Sequence, residues 1–190
     1  MIEQRIAEFK ADLATHDPLR ITRKYILTGT PFIIDGTKYI ELKEVIGDRF
    51  KIHPSEVHMV GSGKLGFSIK PARRYCHFSN TSDIDLAIVS SPLFAKAWNE
   101  VHYYFENSGW WDRCNEFKNY LFHGWIRPDK FPSDLNFTYS KDWWEFFRIL
   151  TESETFGRYK IKAGIYHSMS FLESYQRICI DQCKRGLELK

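Results

Sequence analysis

The chain has 190 residues, 43% apolar and 27% charged, which suits one compact domain able to bury roughly 70% of the surface its unfolded form exposes. Its 27 Lys and Arg against 24 Asp and Glu leave a net charge of +3, too small to announce nucleic acid, and 16% aromatic content with six Trp excludes a disordered chain. No apolar run approaches the roughly 18 to 20 residues that cross a bilayer, and Met1–Lys10 is an amphipathic, charge-bearing stretch rather than a signal peptide, so the expectation is a cytoplasmic protein with no membrane partner.

Ile2, Ile6, Phe9 and Leu13 recur at helical steps and predict a helix over 2–15, closed ahead of Pro18. A connection carrying Gly29, Pro31 and Gly36 leads to a second helix over 39–50, with Leu42, Val45, Ile46 and Phe50 on its apolar side and Gly47 interrupting it. Val57–Val60 then reads as a short strand that stops at Gly61-Ser62-Gly63. Ile84–Val89, rich in β-branched residues, is a clearer strand, and Ser90-Ser91-Pro92 opens a helix over 92–105.

The stretch 106–157 is dense in aromatics. Helices are expected near 112–121 and 141–152, with an irregular loop over 127–132. A strand over 159–166 and a closing helix over 169–185 complete the chain. The pattern is α/β or α+β, a small mixed sheet flanked by helices. It divides into an N-terminal helical part (1–55), a motif-bearing core (56–105), an aromatic-rich insertion (106–157) and a final strand and helix (158–190).

Two segments carry chemistry. Alternate residues of a strand share a face, so Asp83 and Asp85 project together, roughly 7 Å apart along the backbone, while Ile84, Leu86 and Ile88 enter the core. Two carboxylates this close repel each other unless a cation sits between them, and hard oxygen ligands favour Mg²⁺ or Mn²⁺. The glycine turn at Gly61-Ser62-Gly63 lets backbone N–H groups approach a phosphate, Ser62 adds a hydroxyl, and Lys64 is near enough in sequence to neutralise a triphosphate.

Other readings of these residues are weaker. Gly61-Ser62-Gly63-Lys64-Leu65-Gly66 matches a dinucleotide-binding fingerprint, but Phe67–Pro71 follows where that fold needs a helix. A phosphate-binding loop of the Walker type fails because Leu65 stands where a Ser or Thr is required. Cys76, Cys114, Cys179 and Cys183 form no CxxC pair and are expected as packed, reduced thiols. A zinc site from Cys76-His77 with Cys114 or His123 is a weak signal, and the Trp pairs are expected to pack rather than to stack bases.

Val60-Gly61-Ser62 followed by Ser82-Asp83-Ile84-Asp85-Leu86 resembles the nucleotidyltransferase superfamily that includes DNA polymerase β, the kanamycin nucleotidyltransferases, the MNT-type proteins and the cGAS/DncV-like enzymes of bacteria. The resemblance, specific over Gly61–Val89, implies a polymerase β-like core and a reaction that moves a nucleoside monophosphate from an NTP to a hydroxyl with release of pyrophosphate. It implies that Ser62 with the Gly61 and Gly63 backbone holds phosphates, while Asp83 and Asp85 hold Mg²⁺ or Mn²⁺. The acceptor class is open: a protein side chain, an RNA end, a second nucleotide or a small molecule.

Two departures follow. The spacer between Ser62 and Asp83 is longer than the family's usual one and carries Lys70, Arg73 and Arg74, suiting a mobile basic flap or an acceptor contact. The family's third carboxylate, expected on a later strand, has no counterpart in Arg158–Tyr166, where Lys160 and Lys162 suit phosphate contact instead. Asp134 is the candidate from elsewhere. These departures motivate the alternative, a weak or inactive nucleotidyltransferase-fold module that binds nucleotide as a sensor or as the partner subunit of another protein, in a bacterial defence or toxin–antitoxin setting.

Overall fold

The computed structural model describes residues 1–188, so the last two residues of the 158–190 segment lie outside it. Helix α1 spans Ile2–Thr15 and buries Ile6, Phe9 and Leu13, the residues that set its period. Pro18 opens a further helix instead of only ending the first. It sits at the start of α2, Pro18–Thr22, where its missing N–H costs nothing, and Asp17 caps the turn by accepting from the Leu19 amide at 2.8 Å. A π turn over Arg23–Leu27 prolongs α2. The buried residues of this stretch are Ile21, Thr22, Tyr25 and Ile26.

Helix α3, Gly36–Phe50, starts three residues earlier than expected because Asp35 caps it through the Lys38 amide. Gly47 lies within it for a packing reason: a Cβ there would stand 2.9 Å from the Ile52 carbonyl oxygen. Strand β1 is Val57–Val60. One helical turn, α4, Gly61–Leu65, follows directly and ends on Gly66 in the left-handed region. Then come β2, Ile84–Val89, α5, Ser91–Ser108, and α6, Cys114–Phe122. After them lie β3, Trp125–Ile126, α7, Thr138–Glu152, β4, Ile161–Tyr166, and α8, Met169–Glu188.

The fold is mixed α+β, with one four-stranded sheet in the order β1-β2-β4-β3. Strands β2 and β4 are parallel, and β1 and β3 run antiparallel to their neighbours. Both faces are covered, which explains why β2 and β4 read as near-continuous apolar runs. Ile84, Leu86 and Ile88 meet the core beneath α3, α5, α6 and α7, while Ala87 and Val89 meet a second core with α1, α2 and α8. No helix among the described residues is long and apolar enough to cross a membrane.

Strand β3 was not expected. It is two residues long, and tertiary packing makes it: the Trp125 ring lies on Tyr166 with centroids 5.2 Å apart and planes 9° apart, directly over Gly164. A Cβ on Gly164 would come 2.4 Å from Trp125 Nε1. Gly164→Ala is therefore expected to displace the indole and cost about 1 to 3 kcal/mol through overpacking, read as a lowered melting temperature with an altered near-ultraviolet circular dichroism spectrum. An unchanged spectrum would mean that the indole does not depend on this glycine.

Candidate functional site

Strand β1 ends opposite the aspartate pair, since Val60 is in register with Asp85. Gly61 turns the chain with φ +64°, and a Cβ on it would stand 3.2 Å from Asp85 Oδ2. The glycine turn and the Asp85 carboxylate are thus in close approach, brought together by one register of two antiparallel strands. Ser62 is half-exposed on the same turn. Gly63 faces inward, where a Cβ would lie 3.1 Å from Met59 Sδ, so of the two glycines it is Gly61 that borders the carboxylate.

Asp83 immediately precedes β2, and the next residue, Ile84, donates its amide to the Lys160 carbonyl at 2.8 Å. Across the parallel pair, Lys162 of β4 is in register with Asp85, and its ammonium meets Asp83 Oδ2 at 2.5 Å. The later strand thus presents a cation beside the aspartates where the family resemblance leads one to expect an acid. Both partners are about one-third exposed, at 37% and 35%, so solvent weakens the pair and its contribution to stability is at most about 1 kcal/mol.

Asp85 lies between Ile84 and Leu86, on the face shared with Ala87 and Val89. Burial pushes its carboxyl above the ordinary carboxylate value. The charges of Lys70, Lys162 and Arg127 oppose that rise, and the Asp83 charge adds to it. Arg127 comes from the aromatic insertion. Its guanidinium forks onto Asp129 with both bonds at 3.0 Å, donates to the Tyr120 hydroxyl at 2.9 Å, and lies 4.7 Å and 5.1 Å from the Tyr120 and Trp125 ring centres. Arg127, far from Asp85 in sequence, therefore adds its positive charge beside that carboxylate.

Other candidates lie elsewhere. The Lys64 side chain is only 3% exposed, and its ammonium bonds to the Gly29 carbonyl, tying the loop before α3 to α4. Burial, followed by the charges of Arg5 and Lys43, lowers its pKa to about 8. A folded pKa below the unfolded value means that the unfolded chain holds the proton more tightly between about 8 and 10.5. Carrying the charge inside thus costs stability below that window, and the cost is relieved as pH rises through it. The stability of Lys64→Met relative to wild type is expected to fall between pH 8 and 10 in chemical denaturation. A pH-independent difference would refute the buried charge.

Asp134 accepts from the Tyr104 hydroxyl at 3.2 Å and the Asn136 amide at 2.8 Å. It sits with α5, over the sheet face opposite Asp85, and does not join the aspartate pair. Arg74 donates to the Gly186 carbonyl at 2.6 Å on α8, and Arg73 and Lys160 are exposed. The spacer itself is a packed hairpin. Ser68 and Cys76 pair through the backbone at 2.8 Å, Phe78 bonds back to the Gly66 carbonyl at 2.8 Å, and Phe67 is fully buried.

All four cysteines are free thiols, and His77 contacts Glu3 at 2.7 Å. Among the described residues no group of three or more His, Cys, Asp or Glu is placed to hold a metal. Asp83 and Asp85 form a donor set of two carboxylates, within the one or two that Mg²⁺ commonly takes from a protein before completing its shell with water and substrate phosphates. It does not supply the further carboxylate that a second cation would need. No protein-family model matches this chain, and no match was found among curated proteins or solved structures.

Proposed function

We propose that this chain is a metal-dependent nucleotidyltransferase of the polymerase β-like type, moving a nucleoside monophosphate from an NTP to a hydroxyl acceptor. The observation that carries this reading is the approach of the Gly61 turn to the Asp85 carboxylate, with Asp83 on the same edge of the sheet. Asp83 and Asp85 would hold the cation, which when bound neutralises and aligns the phosphates. In the reaction the acceptor oxygen bonds to the α-phosphorus, the bond to the bridging oxygen breaks, and pyrophosphate leaves. The Ser62 hydroxyl and the turn backbone are suited to the phosphates, and Lys162, Lys70 and Arg127 supply positive charge near the same carboxylate.

One observation favours a second reading. Lys162 engages Asp83, and Asp134 is not there to take the proton of the attacking hydroxyl. A site built this way suits nucleotide binding with little turnover, as in a sensor or a partner subunit. Incubation with labelled NTPs and Mg²⁺ or Mn²⁺, alone and with cell extract, separates the two. Transfer that disappears in the Asp83→Ala/Asp85→Ala protein supports the enzyme, whereas tight NTP binding with no transfer to any acceptor supports the binding module.

A further inference from the structure

On the opposite side of the sheet, at the far end of β2, the C-terminal end of α3, the first turns of α5 and the start of α7 border a half-open cavity of about 300 Å³. Asp83 precedes β2 and Pro92 follows it, so the strand's length, roughly 20 Å, separates this cavity from the aspartate pair. The two sites share no residue.

Three cations line the cavity, Arg49, Lys51 and Lys96, against one carboxylate, Asp142. Among the described residues none of the three cations forms an ion pair. Two further lining residues carry buried polar atoms with no partner, the Trp143 indole N–H and the Tyr139 hydroxyl. Trp143 is 2% exposed, and a buried donor without an acceptor forfeits its hydration with nothing in return, so such groups call for an explanation. Burial, with the Glu100 charge adding to it, pushes the Tyr139 phenol up to about 12, so it keeps its proton at neutral pH and remains a donor. The other walls, including Phe50, Ile52 and Leu93, are apolar.

We propose that this cavity binds a small organic anion, a carboxylate or phosphate monoester on an apolar body, whose charged oxygens meet Arg49, Lys51 and Lys96 and supply the acceptor that Trp143 and Tyr139 lack. An excess of cation over carboxylate selects the charge of the ligand, the orphaned donors select an acceptor rather than a second donor, and the apolar walls select an organic body over a bare ion.

The test uses the full chain with ¹⁵N-labelled Trp, the Trp143 indole resonance being assigned by its loss in Trp143→Phe. Phenyl phosphate, benzoate and inorganic phosphate are titrated in turn. The expected result is a saturable shift of the Trp143 indole N–H with phenyl phosphate or benzoate, the tighter of the two identifying the acid group. Arg49→Glu/Lys96→Glu is expected to weaken that response at least about tenfold. Both residues are exposed, and an unchanged melting temperature confirms that the variant is folded. Absence of a saturable shift with both organic probes overturns the proposal, as does a response that survives the charge reversal. Binding of inorganic phosphate as strong as that of phenyl phosphate overturns the organic body.

Discussion

On the proposed function, Asp85→Asn is expected to lower nucleotide transfer at least about 100-fold while leaving the melting temperature no lower than that of the wild type. The two halves of this result have one cause. Burial raises the Asp85 carboxyl above its ordinary 3.8, so the folded state holds the proton more tightly than the unfolded chain. Stability from this group is present at low pH and is lost as pH rises through the window above 3.8, so at neutral pH the ionised side chain costs stability. Asn has nearly the same shape, carries no charge and keeps its place against Gly61. It removes the anion that a cation or an arriving phosphate–metal complex needs, without opening a cavity. A residue retained at a cost to folding is a functional candidate on physical grounds. Label transfer and calorimetric NTP binding, measured beside a thermal melt, check the prediction. If Asp85→Asn melts well below the wild type, the carboxylate serves the fold instead.

Phe67→Ala is expected to cost about 3 to 5 kcal/mol, which for a chain of this size lowers the melting temperature by roughly 10 °C. Phe67 is 0% exposed and meets Phe9 of α1 edge-on at 5.2 Å and Tyr75 at 6.1 Å. Tyr75 in turn approaches Cys183 of α8 at 3.9 Å, so Phe67 packs the spacer hairpin onto α1 while Tyr75 beside it reaches α8. The consequence reaches the candidate site because Lys70, whose charge acts on Asp85, is carried by that hairpin. Urea unfolding measures the loss, and hydrogen exchange of the 66–78 amides locates it. A loss under about 1 kcal/mol would mean that the spacer is the loose flap its basic composition suggests, and not a packed part of the second core.

Period and punctuation made most of the elements readable. Strands β1 and β2 and helix α1 have the boundaries that their apolar spacing predicts, and β4 and α8 differ only at their ends. The glycine turn and Asp85 stand at the strand ends that the same local pattern predicts, whereas Asp83 lies just before β2, where its ion pair with Lys162 and not the period of the strand marks its place. What escaped has no local signal. Strand β3 is held by Trp125 stacking on Tyr166, and α2 is too short to show a period. Lys64, next to the turn in sequence, points away to the Gly29 carbonyl, whereas Lys162 and Arg127, far from it in sequence, act on the aspartate pair.

The sequence by itself therefore determined helices around a small mixed sheet, with a glycine turn after β1 and a pair of aspartates at the start of β2, because these follow from residue types at fixed short spacing. Only the tertiary structure decided which charges surround that pair. Strand register put Lys162 opposite Asp85, packing of the insertion brought Arg127 to the same face, and Asp134 was left on the other. Register and packing are set by the burial of distant apolar residues on both faces of the sheet, and no short window of sequence contains them.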